Sequence, residues 1–158
     1  MRSVVVVASV FAVGSLNSCS PHAQEQVSTA GGTATTPVAS GLTGTYTFVT
    51  DGRQLTINGD PRAGGAPSTT TWEINSCGPK CSDVKSSLGW NVQFHLIDNN
   101  WQATREVPID CGVDGETTVK SSITYAIDAT SLTGTVTNRI PCGHPGKVAV
   151  LPATLTRN

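Results

Sequence analysis

Charge is what this chain has least of. Only 13% of its 158 residues are charged, ten basic against eleven acidic. So even a balance gives no net field to draw in nucleic acid or an anionic lipid surface, and neither is expected as an electrostatic partner. Apolar runs long enough to cross a membrane are also missing. The longest, residues 4–13, falls well short of the about 20 residues that a spanning helix needs. Beyond residue 41 no window carries the 3.6-residue apolar period, which excludes a helical bundle. Catalytic signatures are absent as well: the chain has no Gly-x-Ser-x-Gly elbow, Ser-x-x-Lys box, His-Glu-x-x-His pair or phosphate-binding glycine loop,. His22 lies in a polar stretch, His95 on the polar face of a strand and His144 in the turn 142–146. The acidic residues Glu73 and Asp110 would suit a glycosidase-like pair only at a separation that sequence spacing does not fix. The reading is therefore no enzyme, no catalytic residue, no cofactor and no metal site, with a hydrolytic enzyme kept as an alternative.

What the chain does have begins at its start. Arg2, the apolar residues 4–13 and Leu16-Asn17-Ser18-Cys19 supply a charged, an apolar and a cleavage part in that order,. The segment resembles a bacterial lipoprotein signal peptide, with a large aliphatic residue three before the cysteine and a small one directly before it. Asn17 stands where that pattern usually has a small or aliphatic residue. The resemblance implies that residues 1–18 are removed as a signal peptide and that Cys19 is acylated; an ordinary secretory signal is the alternative. The cysteine count agrees with acylation, because five is odd and a lipidated Cys19 leaves four that can pair. At about 0.8 kcal/mol per buried methylene, two or three acyl chains would hold the protein stably at a membrane. The expected location is the cell envelope, on the extracytoplasmic face of the membrane. Cleavage would remove Arg2, so that the ten basic residues become nine against eleven acidic and the net charge becomes −2.

Residues 19–41 are rich in Ser, Thr, Ala, Gly and Pro and have no apolar period. They read as a lipid-anchored flexible linker with a coil reach of about 25 Å. The domain proper is expected over residues 42–158, where the period becomes two. Tyr46 and Phe48, Leu55 and Ile57, Trp72 and Ile74, and Val92, Phe94 and Leu96 each share a face. The clearest run is Val119, Ser121, Ile123, Tyr125 and Ile127, and the pattern continues in Leu132 and Val136 and in Val148 and Val150. Asp51-Gly52 reads as a hairpin turn between two such runs, and turns are also expected at 98–100 and 128–130. Residues 58–68 read as a longer mobile loop. About eight strands follow. The fold class is all-β, a single antiparallel barrel, because an open sheet of that size would leave unpaired edges; a two-layer sandwich is the alternative.

Cys77, Cys81, Cys111 and Cys142 admit three pairings, and in an exported chain disulfides are the default. Gly78-Pro79-Lys80 favours a tight turn joining Cys77 to Cys81, which leaves Cys111 with Cys142. A zinc site that includes His144 is the competing reading, disfavoured by the long gap between Cys111 and Cys142. The turn 110–115 has an acidic, glycine-bearing look, yet it lacks the central ligand of a calcium loop and has Ser121 where the bidentate Glu would stand.

Trp72, Trp90 and Trp101 are large side chains in a chain with only 5% aromatic residues. Each would bury about 150–250 Å² in a barrel core. If one end of the barrel is open, they are also the candidates to line a cup for an apolar or amphipathic ligand.

Two further resemblances bear on location and architecture. Gly44-Thr45-Tyr46 is similar to the Gly-x-Trp start of calycin barrels, with Tyr for Trp. The stretches 72–84 and 125–134 resemble small cell-envelope lipoproteins of mycobacteria and related actinobacteria, whose biochemical roles are uncharacterised. The anchor, the alternating strands and the missing catalytic set together give the functional expectation, a membrane-tethered, noncatalytic β-barrel binding domain, with an envelope protein-interaction module as the alternative. Partners implied are the membrane through Cys19 and either a small apolar ligand or an envelope protein.

Overall fold

The computed structural model describes residues 41–112 and 117–158. The signal segment, Cys19 and the linker up to residue 40 lie outside these residues, as do 113–116 in the 110–115 turn. The described chain forms ten strands: β1 (Gly44–Thr50), β2 (Thr56–Ile57), β3 (Asp60–Pro61), β4 (Ser68–Gly78), β5 (Cys81–Ser86), β6 (Asn91–Ile97), β7 (Asn100–Asp110), β8 (Thr118–Asp128), β9 (Thr133–Ile140) and β10 (Lys147–Arg157). No α-helix occurs among them. Eight strands pair antiparallel in the order β1-β4-β5-β6-β7-β8-β9-β10, and β10 returns to β1 through Tyr46↔Arg157 to Thr50↔Ala153. That last ladder decides between the two architectures the sequence left open: the sheet closes on itself as a barrel. The small β2–β3 pair attaches to β10 at Val150↔Thr56 and Ala149↔Ile57.

Alternation along the strands fills the barrel. Tyr46, Phe48, Trp72, Ile74, Val84, Phe94, Trp101, Ala103, Tyr125, Ile127, Ala153 and Leu155 are all buried. The aromatic rings lock together at the centre. Phe48 stacks on Trp72 at 3.8 Å, and Tyr125 meets Trp72 edge-on at 5.7 Å, arrangements worth about 0.5–1.5 kcal/mol each beyond area burial. Val148 and Val150 share a strand face with each other but lie on the face opposite Ala153 and Leu155, so they do not extend this core.

The turns follow from side-chain chemistry. Asp98 and Asn99 take φ of 47° and 62°, the left-handed pair that a two-residue hairpin needs, and they join β6 to β7 as expected. Asp51-Gly52 behaves differently. The Asp51 carboxylate accepts from Arg53 N and Nε and from Gln54 Nε2, which winds residues 52–54 into a 3₁₀ turn. The chain after it leaves β1, and β1 pairs with β4 and β10 instead. The loop 58–68 packs back on this turn. A Cβ on Gly64 would run into the Gly52 carbonyl oxygen, and Arg62 N donates to Leu55 O at 2.9 Å.

Cys77 is bonded to Cys81, with Cα atoms 5.0 Å apart, and Cys111 to Cys142, at 5.3 Å. The first bridge closes the β4–β5 turn, and the second ties the end of β7 to the segment after β9. One seam of the barrel is loose. β6 and β7 pair only at His95↔Gln102, Leu96↔Trp101 and Ile97↔Asn100, whereas β7 and β8 pair over their whole length. From Ala103 onward β7 has no ladder partner on its β6 side. Pro108, which has no N–H to offer, stands in this stretch, as proline does on edge strands.

Candidate functional site

The loose seam opens beside one mouth of the barrel. Cross-strand pairs set the residues there into a ring: Thr50↔Ser68 and Phe48↔Thr70 from β1 and β4, Arg105↔Ile123 from β7 and β8, Ile123↔Asn138 and Tyr125↔Val136 from β8 and β9, and Leu151 beside Val136 on β10. The cavity they enclose with Trp90 and Leu88 has a volume of about 220 Å³. Phe48, Ile123, Val136 and Leu151 make its wall apolar. Leu88, on the β5–β6 turn, stands at its rim 69% exposed.

Polar groups converge on the same space. The Arg105 guanidinium lies 4.5 Å from the Trp90 ring centroid, so a cation–π contact spans the gap that the β6–β7 ladder leaves,. Its Nε donates to the Tyr125 hydroxyl at 3.0 Å. Among the described residues Arg105 has no ion pair. The ion pairs Arg53–Asp51, Arg62–Asp60 and Lys120–Glu106 all lie elsewhere. Thr70 Oγ1 and Trp90 Nε1 are buried without a hydrogen-bond partner in the protein, a condition that ordinarily costs about 1–3 kcal/mol per group. The side chain of Asn138 is held by the Ser121 hydroxyl behind the wall.

The three tryptophans have different places. Trp90 lines the mouth. Trp72 is fully buried beneath it, edge-on to Trp90 at 5.7 Å, and backs the cavity without lining it. Trp101 sits toward the opposite end, where Leu42, Tyr46, Leu96 and Arg157 border a second hollow of about 240 Å³ with a mainly polar lining. A wider depression of about 690 Å³ lies over β5 and β6. Its margin consists largely of the outward side chains Asn75, Asp83, Lys85, Asn91 and Gln93, and Asp83 and Gln93 bond to each other. Trp90, Val84 and Val92 also border this depression; the mouth cavity differs from it in having Phe48, Ile123, Val136 and Leu151 as walls and Arg105 with no acidic residue in the lining.

The other residues weighed from the sequence are scattered. Glu73 projects from β4 and Asp110 from the end of β7, strands that are not neighbours in the sheet, and Asp110 accepts a hydrogen bond from Thr118. His95 and His144 are exposed. Among the described residues no three His, Cys, Asp or Glu side chains gather to hold a metal ion. Arg105 and Thr70 went unnoticed in the sequence, although a signal for Arg105 was there. Trp101, Ala103, Arg105, Val107 and Ile109 share one face of β7, and a charge in that inward phase breaks the alternation.

No family model and no curated protein matches the chain. Among solved structures, the monomer form of the M. tuberculosis PknI sensor domain is similar, with a TM-score of 0.58 and 16% sequence identity over 74% of this chain and 87% of that domain. At this identity the likeness shows a shared fold.

Proposed function

We propose that this chain is a membrane-tethered extracytoplasmic lipoprotein whose barrel binds, without turnover, a small apolar or amphipathic molecule in its mouth. One observation carries the reading: a cavity with apolar walls, lined also by Arg105 and by no acidic residue, the usual makeup of a ligand site, in which a few placed polar groups fix orientation. Two disulfides suit an oxidising compartment,, and Leu16 to Cys19 supply the anchor. PknI uses a similar barrel as a sensor domain, and sensing calls for binding rather than catalysis. In this reading Trp90 contacts the ligand, while Trp72 and Trp101 act from the surrounding core.

The test is made on protein extracted from its native membrane. Intact-mass analysis is expected to show a diacyl or triacyl mass on Cys19, and native mass spectrometry one small molecule released per barrel. A barrel that carries nothing and takes up nothing removes the binding role. A Cys19→Ser chain that still sediments with membranes removes the anchor.

A further inference from the structure

We infer that the mouth selects its ligand by an anionic headgroup, a monocarboxylate on a short apolar tail held by the Arg105 guanidinium; this rests on the binding role proposed above. The donors at the mouth set the headgroup. Guanidinium carries five N–H groups and no acceptor, and the indole nitrogen only donates. The Arg105 Nε is spent on Tyr125, which fixes the plane of the fork and leaves the Nη groups free of side-chain partners among the described residues. Trp90 Nε1 and Thr70 Oγ1 are buried out of reach of the cavity and add none. Nothing lining the cavity is acidic, so a half-buried cation stands there without a counter-charge. A carboxylate supplies it, and its two oxygens match a planar fork. A cationic headgroup would be repelled, and a neutral alcohol would leave donors unsatisfied.

The walls set the tail. Phe48, Ile123, Val136 and Leu151 offer no polar atom from their side chains. A cavity of about 150 Å³ takes up benzene, so by proportion roughly nine non-hydrogen atoms fit in this one. Heptanoate has that size. Longer tails would leave through the mouth past the exposed Leu88.

The experiment is calorimetric titration of the full chain carrying Cys19→Ser, which keeps lipid and detergent out of the cell, with heptanoate, heptan-1-ol, heptylamine and inorganic phosphate. Heptanoate is expected to bind at least about tenfold more tightly than the alcohol, since charge-assisted hydrogen bonds are worth that much, and the amine not at all. Arg105→Gln is expected to abolish the preference for heptanoate over the alcohol, and far-UV circular dichroism of the variant is expected to match that of the unaltered barrel, which shows that it is folded. Equal binding of heptanoate and heptanol by the unaltered mouth overturns the anion preference and leaves the apolar site standing. Phosphate binding as tightly as heptanoate overturns the role of the tail. If neither carboxylate nor alcohol binds, the binding role falls with it.

Discussion

Single side chains carry most of what is unusual in this barrel. Arg105 occupies a position that the strand period reserves for an apolar residue, and the fold accommodates it by setting Trp90 against it and Tyr125 beside it. Asp128 works differently, at the β8–β9 connection. The backbone N–H and hydroxyl of Ser131, the Thr130 N–H and the Asn99 amide all donate to its carboxylate and hold it below the usual carboxylate range. Because its folded value is depressed, the stabilisation it gives is fully present above the unfolded value of about 4 and is lost as pH falls through the folded value. Urea midpoints measured between neutral pH and strongly acidic pH are therefore expected to fall for the unaltered chain below about pH 4. Asp128→Asn, which cannot titrate, is expected to give a flatter profile and a lower midpoint at neutral pH. Identical profiles would show that this carboxylate contributes nothing.

At the scale of elements, alternation and turn chemistry were enough to read most strands from the sequence. The run from Val119 to Ile127 became the inner face of β8, and Asp98-Asn99 became a tight hairpin. Asp51-Gly52 misled because its carboxylate found donors in Arg53 and Gln54, a local bond set that competes with hairpin closure,. The run at Leu55 and Ile57 shrank to the two residues of β2, and β3 lay within the stretch read as a loop, because two residues give no period. Disulfides divide their work by loop length. Cys111–Cys142 spans 31 residues and Cys77–Cys81 only 4. In the chain-entropy model, replacing the first pair by alanine costs about 3–4 kcal/mol and replacing the second about 2 kcal/mol. Denaturant unfolding of the two double variants tests this, and equal losses would mean that the unfolded chain is not what the long bridge constrains.

The whole molecule depends on one ladder, the return of β10 to β1. Without it the same strands form an open sheet with two exposed edges, which invites association with other chains. Truncation after Pro152 removes the β10 residues that pair with Phe48 and Tyr46, along with buried Ala153 and Leu155. Such a chain is expected to appear as high-mass species in size-exclusion chromatography with light scattering, where the full barrel is expected to remain dispersed. A dispersed truncated chain would show that closure is not what protects the edges. The loose β6–β7 seam is the reverse case, where Pro108 and the pair Arg105–Trp90 guard a stretch of edge that the ladder leaves open.

The sequence by itself determined the all-β class, the strand faces, a turn within 98–100 and a tight turn between Cys77 and Cys81, because each of these is governed by residues near one another in the chain. Only the tertiary structure decided that the sheet closes, that Trp72 and Trp101 are spent in the core while Trp90 reaches the mouth, and that Arg105 meets Trp90 and Tyr125 there. Those outcomes depend on register between strands far apart in sequence, and a one-residue slip would send every side chain to the opposite face. Periodicity fixes which residues share a side of a strand; the ladder between strands fixes which of them meet.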